Sequence, residues 1–265
     1  MEETDSIVFV VDDSGSMMEE QGNLATNFPM FANLLSSYVT TDGQHIDYRV
    51  GVTTTGRDLD YKISNGGITL PAPHQSGPNG AFMNDCGNAK RWMDSTDPDI
   101  ATQLPCRADV GVDGNGNEMP MAMAKWALSL RIQDGTQAGF LRDDALLGVV
   151  MLTDEDDQST EMNNFTITIT QPFPMEYGPA EHVAFLDTLK GYRTRWASAV
   201  IAGDGDCTSQ FGDAVNAQRL KDFVTQANNQ GTTQAVFSSI CAGDLTIALK
   251  QALDLFQAAC GDIIL

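Results

Sequence analysis

Five short apolar runs, separated by segments of helical periodicity, constrain the fold of this chain more tightly than anything else in its sequence. They span residues 7–11, 48–55, 146–152, 197–202 and 235–240, and most are rich in β-branched residues. Runs that are apolar at nearly every position suit strands covered on both faces, as in a parallel sheet. Between them, Leu24, Phe28, Phe31, Leu35 and Tyr38 follow steps of four, three, four and three, which line one face of a helix. Met121, Ala124, Leu128 and Ile132 form a second stripe, and Val183, Leu186 and Leu189 a short third that Gly191 ends. Leu220, Phe223, Val224 and Ala227 make a fourth, and Leu245, Ala248, Leu249, Ala252 and Phe256 a fifth.

This alternation predicts an α/β fold: a Rossmann-like, doubly wound, mostly parallel sheet with helices on both faces. The 265 residues are read as a single domain, a size that α/β chains often reach without dividing. Residues 56–117, rich in Gly, Pro, Asn and Asp, and residues 155–179, with Thr-Ile-Thr-Ile-Thr followed by two prolines, break the rhythm and read as insertions at the rim. No run of about 18 apolar residues occurs, so no membrane insertion by this chain is expected.

Charge narrows the partners. The 36 Asp and Glu outweigh 15 Lys and Arg, and a formal net charge of -21 repels phosphate backbones and anionic headgroups, so nucleic acid is not an expected partner. Five cysteines, at 86, 106, 207, 241 and 260, form no C-x-x-C pair and no Cys/His cluster, which leaves disulfides as the reading. Cys86 pairs with Cys106 inside the first insertion and Cys207 with Cys241 between neighbouring strand ends, leaving Cys260 over. The opening Met-Glu-Glu-Thr-Asp-Ser has neither a basic nor an apolar leader region. Taken literally this means a cytoplasmic protein; a Met in front of an excised domain reads the same, and the cysteines favour the latter.

Directly after the first apolar run comes Val11-Asp12-Asp13-Ser14-Gly15-Ser16-Met17, which places a carboxylate and two hydroxyls at alternate positions of a turn. Such oxygens suit a hard divalent cation, Mg²⁺ first, with Ca²⁺ or Mn²⁺ as alternatives. In open α/β sheets the carboxyl ends of the strands are also where ligands bind. An ordinary capped turn uses the same residues. A second buried run ends in Leu152-Thr153-Asp154, which this fold puts beside the first, although the acids there also suit a solvated turn.

Asp12-x-Ser14-x-Ser16 after an apolar strand, with Leu152-Thr153-Asp154 ending a later one, resembles the metal-ion-dependent adhesion site of von Willebrand factor type A domains. Residues 9–17, 51–55, 140–145 and 152–157 resemble exported bacterial members of that family, some of them surface lipoproteins. The resemblance implies that Asp12, Ser14 and Ser16 supply a first metal loop and Asp154 a third. The second loop departs from the family, which usually has a threonine just before the following helix, where this chain has Glu118. Glu118 is then a metal ligand or the holder of a coordinated water, or it caps the helix N-terminus.

The implied function is a metal-ion-dependent protein-binding or adhesion module of an exported bacterial protein, extracellular or at the cell surface. A protein ligand is expected to reach the cation through an acidic side chain. An intracellular assembly subunit of an ATPase or chelatase-type complex is the alternative. A phosphoryl-transfer enzyme of the haloacid-dehalogenase type needs a second carboxylate two residues after the first, where this chain has Ser14. None of His45, His74 and His182 sits beside a strand-end nucleophile, and neither a G-x-S-x-G elbow nor a Walker A loop occurs, so no enzymatic activity is expected. The acidic stretches at 113–118 and 203–206 read as turns.

Overall fold

The computed structural model describes residues 4–37, 45–88, 90–209 and 212–261, with the side chains of Gln257 and Cys260 outside that description. In chain order the strands are β1 (Thr4–Val11), β2 (Asp47–Thr54), β3 (Tyr61–Asn65), β4 (Ile68–Pro71), β5 (Met93–Asp94) and β6 (Leu146–Leu152). They continue with β7 (Phe165–Thr168), β8 (Trp196–Ala202), β9 (Cys207–Ser209), β10 (Gly212–Ala214) and β11 (Ala235–Ser239). The helices are α1 (Met18–Ser37), α2 (Ile100–Ala108), α3 (Pro120–Leu128), α4 (Leu130–Gln133), α5 (Pro179–Lys190), α6 (Gln218–Ala227) and α7 (Leu245–Gly261).

The five apolar runs become five parallel neighbours in one sheet of order β11-β8-β6-β1-β2-β5, and only β5 pairs antiparallel. Because successive side chains of a strand point to opposite faces, the central β1 feeds two cores. Ile7, Phe9 and Val11 pack with α1, α2 and α7, while Val8 and Val10 pack with α3, α5 and α6. The chain is therefore a Rossmann-like α/β fold with a mostly parallel, helix-covered sheet. Phe9 meets Phe28 and Phe31 of α1 at ring separations of 5.3 and 5.1 Å. Truncating one such ring to Ala would cost about 3–5 kcal/mol.

The helix stripes fall on helices, with one break. Ser129 interrupts the second stripe, its hydroxyl donating to Lys125 O at 2.6 Å, so Ile132 sits on the separate α4. Gly191 ends α5 in the left-handed region at φ 79°. Tyr38, which its spacing puts on the first stripe, lies outside the described residues.

The two insertions are more ordered than their composition suggests. Parts of both join in a three-stranded sheet of order β4-β3-β7, and the first also contributes α2 and β5. Cys86 is bonded to Cys106, and Cys207, at the start of the β9-β10 hairpin, to Cys241. Among the described residues no helix is long and apolar enough to cross a membrane.

Candidate metal centre

Parallel pairing brings the strand ends to one edge. Val11 of β1 is in register with Thr54 of β2 and Leu152 of β6, so Asp12, Thr55 and Thr153 leave the sheet side by side. Thr55 N–H donates to Val11 O, and Asp12 N–H donates to Leu152 O at 2.9 Å.

The Asp12 carboxylate is fully buried and accepts three hydrogen bonds. Oδ1 takes Ser14 N–H at 2.8 Å and the Thr55 hydroxyl at 3.3 Å, and Oδ2 takes the Thr153 hydroxyl at 2.7 Å. Gln21 of α1 donates to Asp12 O at 2.9 Å, fixing the turn against the helix. Ser14 and Ser16 hold their hydroxyl oxygens 2.9 Å apart. Burial pushes the Asp12 carboxyl up, and the hydrogen bonds from Thr153, Ser14 and Thr55 oppose that only in part.

Glu118 arrives on a turn pressed against Asp13. Gly114 N–H donates to Asp13 O, and a Cβ on Gly114 would stand 2.3 Å from the Asp13 carboxyl carbon, so only glycine permits this approach. Residues 113–118 are thus the turn expected of them, and Glu118 ends it fully buried. Its Oε2 accepts from Gln158 Nε2 at 3.5 Å, and its Oε1 has no hydrogen-bond partner.

The helix-cap alternative for Glu118 is not the arrangement found. The free N–H groups at the start of α3 go to Asp157 Oδ1, from Met121 at 3.1 Å, and to Ser159 Oγ, from Ala122 at 2.9 Å. Pro120, the first residue of the helix, has no N–H to satisfy.

Asp154 is buried with Oδ1 unpartnered, and Val215 N–H holds its carbonyl at 2.9 Å. Asp13 Oδ1 and both carboxylate oxygens of the buried Glu20 on α1 are likewise without hydrogen-bond partners. Burial, reinforced by Asp12 and Glu155, pushes Glu118 up to about 10. Burial, with Asp12, Glu20 and Glu155 adding to it, pushes Asp154 up to about 7. Burial likewise pushes Asp13 up to about 6 and Glu20 up to about 7.

These are the signs of carboxylates gathered with too little positive charge: orphaned buried oxygens cost free energy, and a proton or a cation relieves it. The donor set is all oxygen, which fits Mg²⁺, Ca²⁺ or Mn²⁺. Among the described residues no three His, Cys, Asp or Glu side chains converge into a metal cage by themselves. Any cation here therefore relies on hydroxyl and water oxygens as well as carboxylates, as Mg²⁺ does.

Asp12, Ser14 and Ser16 come together on one turn, and both Glu118 and Asp154 lie near enough to Asp12 to feel its charge. Sequence reasoning gave Thr55 and Thr153 no role, although parallel register from Val11 would have found both. Glu20 had no signal beyond its place on the first turn of α1. The 203–206 stretch is a turn in which Asp206 accepts from Asn216 N–H and Asp204 pairs with Lys221.

No family model and no curated protein sequence matches the chain. Among solved structures it is similar to proximal thread matrix protein 1 from the mussel byssus, with TM-score 0.48 and 12% identity, over 98% of this chain and 47% of that one. The pilus adhesin SpaC from Lactobacillus rhamnosus GG gives 0.46 and 12%, over 97% of this chain and 31% of that one. The manganese-loaded Plasmodium vivax TRAP protein gives 0.40 and 13%, over 95% and 74%. The chain spans less than half the length of the first two. With each of these three scores below 0.5, the fold assignment rests on the strand order itself, and no activity is carried over from these proteins.

Proposed function

We propose that this chain is a von Willebrand factor type A-like protein-binding module that acts through a divalent cation at the C-terminal edge of its sheet. What supports the reading is the turn that holds the Ser14 and Ser16 hydroxyls 2.9 Å apart after the buried Asp12, together with the buried Glu118 Oε1 and Asp154 Oδ1, which have no hydrogen-bond partner. Asp12, Ser14, Ser16, Glu118 and Asp154 would hold the cation, Mg²⁺ in the first instance. Its chemistry there is that of a Lewis acid offering a position to a carboxylate of a protein partner.

The remaining parts of the proposal follow from the same frame. All 265 residues act as one domain that binds rather than catalyses. Two disulfides favour an oxidising compartment, so the module belongs to an exported, cell-surface or extracellular protein, of bacterial type, rather than to an intracellular assembly.

Titration calorimetry with Mg²⁺, Mn²⁺ and Ca²⁺ tests the reading. Wild type should take up one cation, and Asp12→Asn, which keeps an acceptor for Ser14 and Thr55, should lose it with an unchanged circular dichroism spectrum. Equal binding by the variant, or no binding by wild type, would overturn it.

A further inference from the structure

The β9-β10 hairpin stands at the edge where Asp154 leaves β6. Cys207 ties it to Cys241 ahead of α7, and Val215 N–H, just past β10, donates to Asp154 O at 2.9 Å. Against it lies a hollow of about 430 Å³ whose lining includes Ser16, Asp154, Glu155, Asp206 and Asp213. A second hollow shares Ser16, Asp154 and Asp213 with the first and adds Glu19 of α1 and Gly212 of β10.

Charge sets the kind of occupant. Every charged residue along the two hollows is an acid, and among the described residues none of them is in an ion pair. Lys221 pairs with Asp204 instead. Two buried groups sharpen the demand for positive charge. Asp154 is 3% exposed with Oδ1 unpartnered, and it lines both hollows. Glu20 is 1% exposed, has no hydrogen-bond partner on either oxygen, and presses on the hairpin at Gly212, where a Cβ would stand 1.6 Å from Oε1. A hollow of this volume is roughly as wide as the Debye length, about 8 Å at physiological salt, so these charges act together on whatever enters.

Size separates a side chain from a second metal ion. A metal needs several oxygens converging within about 2.6 Å, and among the described residues no three acidic side chains gather in that way. The carboxylates are spread around a space that an ammonium or guanidinium group fills together with its aliphatic stem. Position then names the source. Ser16 and Asp154 belong both to the proposed cation site and to the lining, so whatever fills the hollow lies next to what reaches the cation. Neighbouring residues of an extended chain, about 3.3–3.6 Å apart, supply both.

We propose that the hollow under the β9-β10 hairpin receives a Lys or Arg side chain of the same protein partner, within two residues of the acid that reaches the cation. The basic group offsets the repulsion that the acidic rim exerts on that carboxylate. The proposal rests on the metal-centre reading above.

Random linear peptides, displayed on phage and panned on the intact chain in Mg²⁺ with EDTA elution, test it. The recovered peptides should carry Lys or Arg within two residues of an Asp or Glu more often than the unselected library does. Asp206→Asn/Asp213→Asn, which keeps an acceptor for Asn216 N–H, should bind them at least about tenfold more weakly while still taking up one Mg²⁺. Asp143→Asn/Asp144→Asn, the same charge change just before β6 at the opposite edge, should bind them as wild type does. EDTA-released peptides without a basic excess, or equal losses in the two variants, would overturn this inference and leave the cation reading standing. Peptides held regardless of EDTA and of Asp12→Asn would overturn the cation reading and the shared partner with it. Two Mg²⁺ taken up by wild type and one by Asp206→Asn/Asp213→Asn would give the hollow to a second ion instead.

Discussion

The Thr153 hydroxyl donates to Asp12 Oδ2 at 2.7 Å, so the ends of β6 and β1 are tied through the carboxylate at the heart of the candidate centre. Outer groups that orient a metal ligand typically change affinity by about 10–100-fold when removed. Thr153→Val, which preserves shape, should therefore weaken Mg²⁺ binding by about that factor in calorimetric titration. A stability loss without any change in affinity would make the bond purely structural.

On the metal-centre proposal, protons and cation compete for this site. Glu118 and Asp154, raised to about 10 and about 7, hold protons in the folded chain where unfolded carboxyls have lost them. The stability they contribute without metal is full near pH 4 and is lost as pH rises through about 7 and on towards 10. Cation binding must expel these protons, so affinity should tighten with rising pH, up to about tenfold per unit for each proton released. Calorimetry at about pH 6.5 and about pH 7.5, in buffers of different ionisation enthalpy, counts the protons directly.

If Glu118 joins Asp12 and Asp154 on the proposed cation, three carboxylates leave it little net charge with which to attract an outside acid. Glu118→Thr should weaken intrinsic Mg²⁺ affinity yet strengthen the pull of the saturated site on a carboxylate. Acetate binding, followed through the relaxation of water on Mn²⁺ at saturating metal, reads the second effect. Tighter metal binding by the variant would place Glu118 away from the cation.

The Cys86–Cys106 bond closes a loop of separation 20 within an insertion that has few large apolar residues. The paired Cys86→Ser/Cys106→Ser variant should lose about 3 kcal/mol in denaturant unfolding on the chain-entropy model. Its Mg²⁺ titration should stay close to wild type, because the bond touches neither Asp12 nor Asp154.

The five buried strands were legible because β-branched runs between helical stripes leave few other folds, and with them came the shared edge at which Asp12 and Asp154 leave the sheet. Less legible were contacts between distant segments. Tyr61 pairs with Phe165 and so builds a sheet from two insertions, and neither stretch alone carries a strand-and-turn pattern strong enough to reveal it. The helix α2 hid for a local reason, since IATQLPCRA carries an internal Pro105 that argues against a helix until packing overrides it. Glu118 was visible as an oddity, but its burial depends on how Gly114 meets Asp13, a contact no spacing rule supplies.

The N-terminus of α3 is finished by Asp157 and Ser159, 36 and 37 residues further along, beyond a whole strand. A helix of nine residues is marginal alone, and this one has no acceptor of its own for its first amides. Its first turn is therefore completed only by the loop that follows β6. The same dependence runs backwards in the native state: a change that displaces Asp157 or Ser159 strips the helix that follows Glu118 of the acceptors for its first amides.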